Sequence, residues 1–282
     1  MPGLRRGKAA ALLRALALAV LCLGAPPASA PASAQVEDPV RTCLAPPYDG
    51  ARTDAQRRIR SLAVWLRSAL APHRSLSRIL EERPPEICLS EHLFGIQGYF
   101  DLEAHRIVLR RGLSTPLMRA VAIHELRHVH QTRTGICPDP NLSMEATARV
   151  TLAMEADASA VSLAVAWQLR AAGDPSVWTA LETWPTHADL ALAFEAEMRA
   201  SGALALATAR AFGTWYESEW RRQTYYVAAC SDYLDRQERT HALPRYGSLD
   251  QAYLAELCRL PDGRVYPCAE PKDAGGAAGA TE

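Results

Sequence analysis

The chain has 282 residues, which is enough for one sizeable hydrophobic core, and 49% of them are apolar, as in ordinary globular proteins. Its 31 acidic and 31 basic side chains balance, so the composition provides no strong positive field that would attract nucleic acid. We therefore expect a globular protein without a nucleic-acid partner.

Residues 1–34 have the pattern of a secretory signal peptide. A basic stretch at residues 5–14 is followed by a short apolar run at residues 15–23, and small-residue cleavage patterns end at Ala30 and at Ala34. The sequence leaves open which pattern is used and whether the segment is retained as an anchor. The run is shorter than the roughly 20 apolar residues of a membrane helix. We expect a periplasmic or secreted protein with no stable membrane span after cleavage, since no later segment looks long and apolar enough.

Six cysteines remain when this segment is set aside, and an even number in an exported protein predicts three disulfides. They are Cys43, Cys88, Cys137, Cys230, Cys258 and Cys268. Six cysteines allow 15 pairings, among which Cys258 with Cys268 is the easiest local pair. No spacing is Cys-x-x-Cys, which disfavours a cysteine zinc site or a redox motif.

The N-terminal half of the mature chain predicts two helices and then three short strands. An apolar stripe predicts a helix from Thr53 or Asp54 to about residue 71, and a second helix follows Pro72. Alternating apolar residues predict strands at residues 86–89, 98–102 and 106–109. The last of these strands is either the edge of a substrate cleft or ordinary core.

After residue 112 the pattern is helical. Ser114 or Thr115, followed by proline, predicts a helix start, and Gly135 predicts its end. Ser143 is expected to cap a long buried helix. Further helices are predicted at residues 143–172, 175–183, 186–200, 203–239 and 249–257. The fold class is therefore α+β and mainly α-helical, with one domain over residues 35–270 and a disordered tail at 271–282.

A His-Glu-Leu-Arg-His motif at residues 124–128 carries the chemistry. Histidines four residues apart on a helix project from one face, so both His124 and His128 can bind one Zn²⁺. Glu125 then lies beside the ion, where it can take a proton from a zinc-activated water. A chance match is expected in about one in a hundred such chains. Arg127 is a charge between the histidines and is expected to point away and pair with an acid.

A catalytic zinc needs a third protein ligand. The long helix after Ser143 carries three acids, Glu145, Glu155 and Asp157. Glu155 and Asp157 lie about 200° apart around a helix, so only one of them can face the ion. The residues by themselves leave the choice open.

The run Met-Glu-Ala-Asp-Ala at 154–158 resembles a Glu-Ala-Asp-Ala stretch of several metallopeptidase families. Together with the first motif, it makes residues 86–170 resemble gluzincin-like zinc metallopeptidases. The resemblance implies a zincin-like active-site helix preceded by a small sheet, zinc as the cofactor and hydrolysis of a peptide or protein substrate. It implies that His124, His128 and Glu155 are the ligands and that Glu125 is the general base. Asp157 would then either orient a ligand or structure the helix.

Two other kinds of protein remain as alternatives. The zinc site would be non-catalytic in a degenerate, protease-like binding protein, and the motif would be fortuitous in a disulfide-stapled periplasmic scaffold. Tyr225 and Tyr226 are predicted to pack rather than to donate to an oxyanion. Five histidines are expected at the surface: His73, His92, His105, His187 and His241. The substrate and the oligomeric state stay open.

Overall fold

A small four-stranded sheet packs against an array of helices in the computed structural model, which describes residues 41–93, 95–250 and 252–271. The strands are β1 (Thr42–Leu44), β2 (Glu86–Ser90), β3 (Gly98–Asp101) and β4 (Arg106–Arg110). The helices are α1 (Asp54–Ala69), α2 (Arg74–Glu82), α3 (Thr115–Arg133), α4 (Met144–Ala171), α5 (Ser176–Glu182), α6 (Ala188–Ser201), α7 (Leu204–Glu217), α8 (Glu219–Thr240) and α9 (Tyr253–Leu257). The predicted class, α+β and mainly α-helical, is confirmed. The predicted signal peptide and the tail beyond residue 271 lie outside the described residues.

The sheet has the strand order β1-β2-β4-β3. β2 and β4 are parallel, while β1 pairs antiparallel with β2, and β3 pairs antiparallel with β4. The strand predicted at residues 106–109 is therefore an interior strand, and the core alternative for it was the right one. β3 is the edge of the sheet beside α3, and its backbone groups on one side have no strand partner within the described sheet.

Two disulfides stabilise the described part of the chain. Cys43 and Cys88 face each other across β1 and β2 with their Cα atoms 4.0 Å apart, and Cys258 pairs with Cys268 as expected. Such bonds indicate an oxidising compartment. The expectation that all six cysteines pair is wrong, because Cys230 on α8 is a free thiol.

The helix with the histidine motif begins and ends where the sequence predicted. The Ser114 side chain accepts a hydrogen bond from the Leu117 N–H, and proline follows in the first turn. The helix ends at Arg133 with Thr134 as its C-cap. Gly135 follows with a φ of 76°, a conformation that glycine adopts without steric cost. Ile123 and Val129 are fully buried, so α3 lies in the core and holds its motif rigidly.

α4 is the central core helix. Ser143 caps it as predicted, and most of its side chains are buried. By length and composition it is apolar enough to cross a membrane, but 89% of its most apolar window is buried inside the protein. The expectation that no later segment is long and apolar enough to span a membrane was wrong. A helix buried in a protein core needs the same apolar composition as a helix in a bilayer.

The helix predicted at residues 203–239 is two helices, α7 and α8. Ser218 between them has an extended backbone and caps α8 by accepting a hydrogen bond from the Arg221 N–H. The buried Arg221 guanidinium donates to the Trp215 carbonyl at 2.9 Å and pairs with the Asp189 carboxylate of α6. The chain therefore turns at Ser218, and α8 packs against α4 rather than continuing α7.

The contact between β3 and α3 leaves room for glycine alone at residue 98. A Cβ atom there would lie 2.8 Å from Val121 Cγ1 and 3.1 Å from the Val108 carbonyl oxygen. We predict that Gly98→Ala lowers the free energy of unfolding by about 1–3 kcal/mol, as overpacking does. Gly112→Ala is the control, since nothing lies within 4 Å of its Cβ position. Equal midpoints for both variants in urea denaturation would contradict the close contact.

Candidate metal centre

Three predicted ligands meet between α3 and α4. The Nε2 atoms of His124 and His128 lie 3.0 Å apart. The Glu155 carboxylate of α4 lies 3.4 Å from His124 Nε2 and 3.2 Å from His128 Nε2. Ligand atoms held about 2.0–2.1 Å from a tetrahedral Zn²⁺ are separated from one another by about 3.3 Å. The spacing and the donor types therefore fit a zinc ion.

The environment of Glu155 also fits a cation. Its side chain is 1% exposed, and its Oε1 atom is buried without a hydrogen bond from any described residue. Buried carboxylate oxygens are normally hydrogen-bonded or bound to a metal. Of the other two candidate ligands, Glu145 is exposed at the first turn of α4, and Asp157 points to a different set of partners. Glu155 is thus the acid that the fold places against the two histidines.

The charges of the three groups depend on one another. Burial alone lowers the pKa of His128, but the adjacent Glu155 carboxylate outweighs burial and raises this pKa to about 9. Burial raises the pKa of Glu155, but His128 and His124 outweigh it and lower this pKa to about 2. The ionised Glu155 carboxylate therefore stabilises a positive charge beside it, and a bound cation would supply that charge without a proton.

Glu125 lies beside the three ligands and lines the same cavity. Its side chain is 4% exposed, and burial raises its pKa, an effect that the neighbouring His124 and His128 oppose. A backbone hydrogen bond from Phe100 of β3 also reaches the Glu125 carboxylate. The edge strand therefore orients this acid toward the cavity, and a raised pKa brings it closer to the range of a general base.

Arg127 points away from the ligands, as the sequence predicted. Its guanidinium is fully buried and donates two hydrogen bonds to Asp157, at 2.6 Å and 3.0 Å. It also donates to the carbonyl oxygens of Leu257 and Arg259, at 2.9 Å and 3.0 Å. The unusual charge in the motif therefore belongs to a structural ion pair between α3, α4 and the C-terminal segment.

Gln131 is a functional residue that sequence reasoning missed. Its Oε1 accepts from His128 Nδ1 at 2.8 Å, and its Nε2 donates to Asp157 Oδ2 at 2.7 Å. Metal-binding histidines usually hold their second nitrogen in such a hydrogen bond. The signal was available, because Gln131 follows His128 by three residues on the buried face of a helix and so lies next to it. Asp157 therefore reaches the candidate ligand His128 only indirectly, through Gln131.

The cavity over the candidate ligands has a volume of about 380 Å³. It lies between the β3 edge, the helices α3, α4, α5, α7 and α8, and the loop between α5 and α6. Large apolar side chains form much of its wall: Leu181, Trp184, Trp215 and Trp220. Arg221 also lines it, but its guanidinium is occupied by Asp189 and by backbone carbonyls. The cavity would therefore accommodate an uncharged group of a ligand better than a charged one.

Two predictions about surface histidines are wrong. His73 is 5% exposed, and His187 lines the cavity, with its ring stacked on Trp184 at a centroid distance of 4.2 Å. Burial and the nearby His124 lower the pKa of His187 to about 3, so its imidazole is neutral at neutral pH. The loop between α5 and α6 brings His187 to the site, and no local sequence pattern encodes that placement.

Tyr225 of α8 also lines the cavity, and its hydroxyl lies beside the Glu155 carboxylate. Burial, with Glu155 next in effect, raises the pKa of this hydroxyl well above its usual value, so it is protonated. Both tyrosines pack against the core, as predicted, but Tyr225 in addition lines the cavity. Its partner Tyr226 contacts Cys230 instead.

Comparison with known families shows the family of the chain. Residues 30–268 match the family described as "Putative metallopeptidase family (DUF6782)". The chain belongs to this family. The family description indicates a hydrolase that uses a metal, in agreement with the grouping of His124, His128 and Glu155. No curated protein and no solved structure matches the chain significantly.

The buried ion pair between Arg127 and Asp157 is expected to contribute strongly to the stability of the fold. Arg127→Met would leave Asp157 buried with its counter-charge removed, and we predict a loss of about 3–5 kcal/mol in the free energy of unfolding. Arg133→Met is the matched control on the same helix, because Arg133 pairs with Glu82 at the surface, where such pairs contribute at most about 1 kcal/mol. Similar urea midpoints for the two variants would refute the assigned difference.

Proposed function

We propose that this protein is an exported zinc metallopeptidase in which His124, His128 and Glu155 hold the ion. The observation that carries the proposal is the convergence of these donors, at tetrahedral spacing, beside the buried carboxylate of Glu125. Zinc bound there would supply Lewis acidity, which polarises a carbonyl group and lowers the pKa of a coordinated water toward about 7.

Glu125 is the general base in this proposal. It accepts the proton of the attacking water and passes it to the leaving amine. Two features support this role. Burial raises its pKa, and the Phe100 backbone keeps its carboxylate turned toward the cavity.

The substrate would lie as an extended segment along β3. The Gln97 carbonyl accepts a hydrogen bond from the N–H of Arg110, the last residue of β4. Along an antiparallel strand, successive residues direct their backbone groups alternately toward the paired strand and away from it. The backbone groups of Gly98 therefore point toward the open edge, next to the cavity. An extended peptide adds to such an edge through main-chain hydrogen bonds, independently of its sequence.

Tyr225 and His187 are the proposed donors to the negative charge that develops on the scissile carbonyl oxygen. Both line the cavity, and both are in the protonation state that such a donor requires. His187 Nδ1 lies 3.1 Å from the Thr186 hydroxyl, which helps to orient the ring. The apolar wall of Leu181 and Trp215 would accept a large uncharged side chain of the substrate.

Export is supported by two independent features. Residues 1–34 have the charge and apolar pattern of a signal peptide, and the described chain contains two disulfides. We propose a periplasmic or secreted location on this basis.

The first test separates a peptidase from a non-catalytic zinc protein. Glu125→Gln keeps the size of the side chain but removes the base, so we predict that zinc stays bound and that hydrolysis of a peptide library falls at least about 100-fold. Metal content is measured by elemental analysis and cleavage by mass spectrometry. Cleavage at the wild-type rate by this variant would exclude the assigned mechanism, and a wild-type protein that binds zinc but cleaves nothing would favour the binding-protein alternative.

A second test concerns the third ligand. Glu155→Ala removes one of three protein ligands, and we predict that zinc affinity falls at least about 100-fold, more than the roughly 10–100-fold loss on removing an outer partner. Glu145→Ala is the control on the same helix, because Glu145 is exposed at the first turn of α4. Zinc affinity is measured by competition with a chromogenic chelator. An unchanged affinity in the Glu155 variant would show that another group completes the site.

A further inference from the structure

The C-terminal segment forms a small disulfide-closed loop over residues 258–268. Cys258 and Cys268 close it, and the Tyr266 N–H donates to the Cys258 carbonyl at 3.0 Å. Tyr266 itself is 1% exposed. This segment is far in sequence from the histidine motif, and the family resemblance assigned it no role.

The Tyr266 side chain reaches the interior network behind the metal centre. Its hydroxyl donates to Asp157 Oδ1 at 2.6 Å. The same carboxylate accepts two hydrogen bonds from Arg127 and one from Gln131, and it is completely buried. Four donors therefore fix the position of both Asp157 oxygens, and the C-terminal loop supplies one of the four.

Asp157 in turn determines which way the Gln131 amide points. Both amide hydrogens have acceptors, because Gln131 Nε2 donates to Asp157 Oδ2 at 2.7 Å and to the Met154 carbonyl at 3.0 Å. Its Oε1 atom is therefore left to accept from His128, at 2.8 Å. A histidine that donates from Nδ1 keeps the lone pair of Nε2 available, and this is the atom that faces Glu155.

We propose that Tyr266 is a positioning residue of the metal centre. It acts through Asp157 and Gln131 to hold His128 in the tautomer and orientation that bind the ion. The disulfide-closed loop is then part of the site, although it does not reach the cavity. This inference rests on the proposed function, since it assigns to Tyr266 a role in zinc binding.

Tyr266→Phe removes the hydroxyl and keeps the ring. Outer partners of metal ligands typically change metal affinity about 10–100-fold, and Tyr266 acts one hydrogen bond further away. We expect a loss of zinc affinity of about 5- to 10-fold, measured on the full mature chain by chelator competition. Tyr253→Phe is the matched control, because its hydroxyl is also buried in the C-terminal segment but has no hydrogen-bond partner among the described residues. Its zinc affinity should stay within about 2-fold of the wild type.

A double variant separates this relay from general loosening of the fold. Gln131→Met removes the hydrogen bonds that connect Asp157 to His128. Adding Tyr266→Phe to the Gln131→Met variant should therefore cause no further loss of zinc affinity. Equal zinc affinities for Tyr266→Phe and Tyr253→Phe would overturn the inference while zinc binding by the wild type still stands. Additive losses in the double variant would also overturn it. A wild-type protein that binds no zinc would overturn both this inference and the proposed function.

Discussion

The buried carboxylate of Asp157 is the group on which the arrangement of the centre depends. Moving an ionised group from water into the protein interior costs several kcal/mol unless partner groups compensate its charge. Here Arg127, Gln131 and Tyr266 compensate it with four hydrogen bonds, and they come from α3 and from the C-terminal loop. The requirement to neutralise one charge therefore holds three distant parts of the chain together at one point behind the candidate metal ligands.

Glu155 lies two residues earlier on α4, and its environment is the opposite one. Rotation by about 200° along the helix turns it away from the Asp157 network and toward the cavity. There two histidines surround it, and Oε1 has no hydrogen bond from a described residue. The Asp157 oxygens thus accept hydrogen bonds from protein donors, and this acid stabilises the fold. Glu155 keeps one oxygen without a hydrogen bond from a described residue and is suited to bind a cation. The difference follows from helix geometry and from what packs on each face.

Much of the fold could be predicted from local patterns. The caps at Ser114 and Ser143 and the strands before α3 were recognisable because hydrogen bonding of helix ends and alternation of apolar residues are local properties. The errors in helix boundaries and cysteine pairing concern non-local contacts. The break at Ser218 depends on how Arg221 packs after the turn, and the free thiol of Cys230 depends on which cysteines the fold brings together. Neither is encoded within a few residues.

Within the candidate site, the local sequence was enough to predict the pair of histidines and the proposed base. Their spacing on one helix places His124, Glu125 and His128 relative to one another whatever the rest of the chain does. The other residues of the candidate site follow from contacts between separate elements. The packing of α4 on α3 places Glu155 beside the two histidines, and chain segments that are distant in sequence bring His187 and Tyr225 to the cavity. The physical reason is that helix periodicity acts over a single turn, whereas a closed site needs contacts between separate elements.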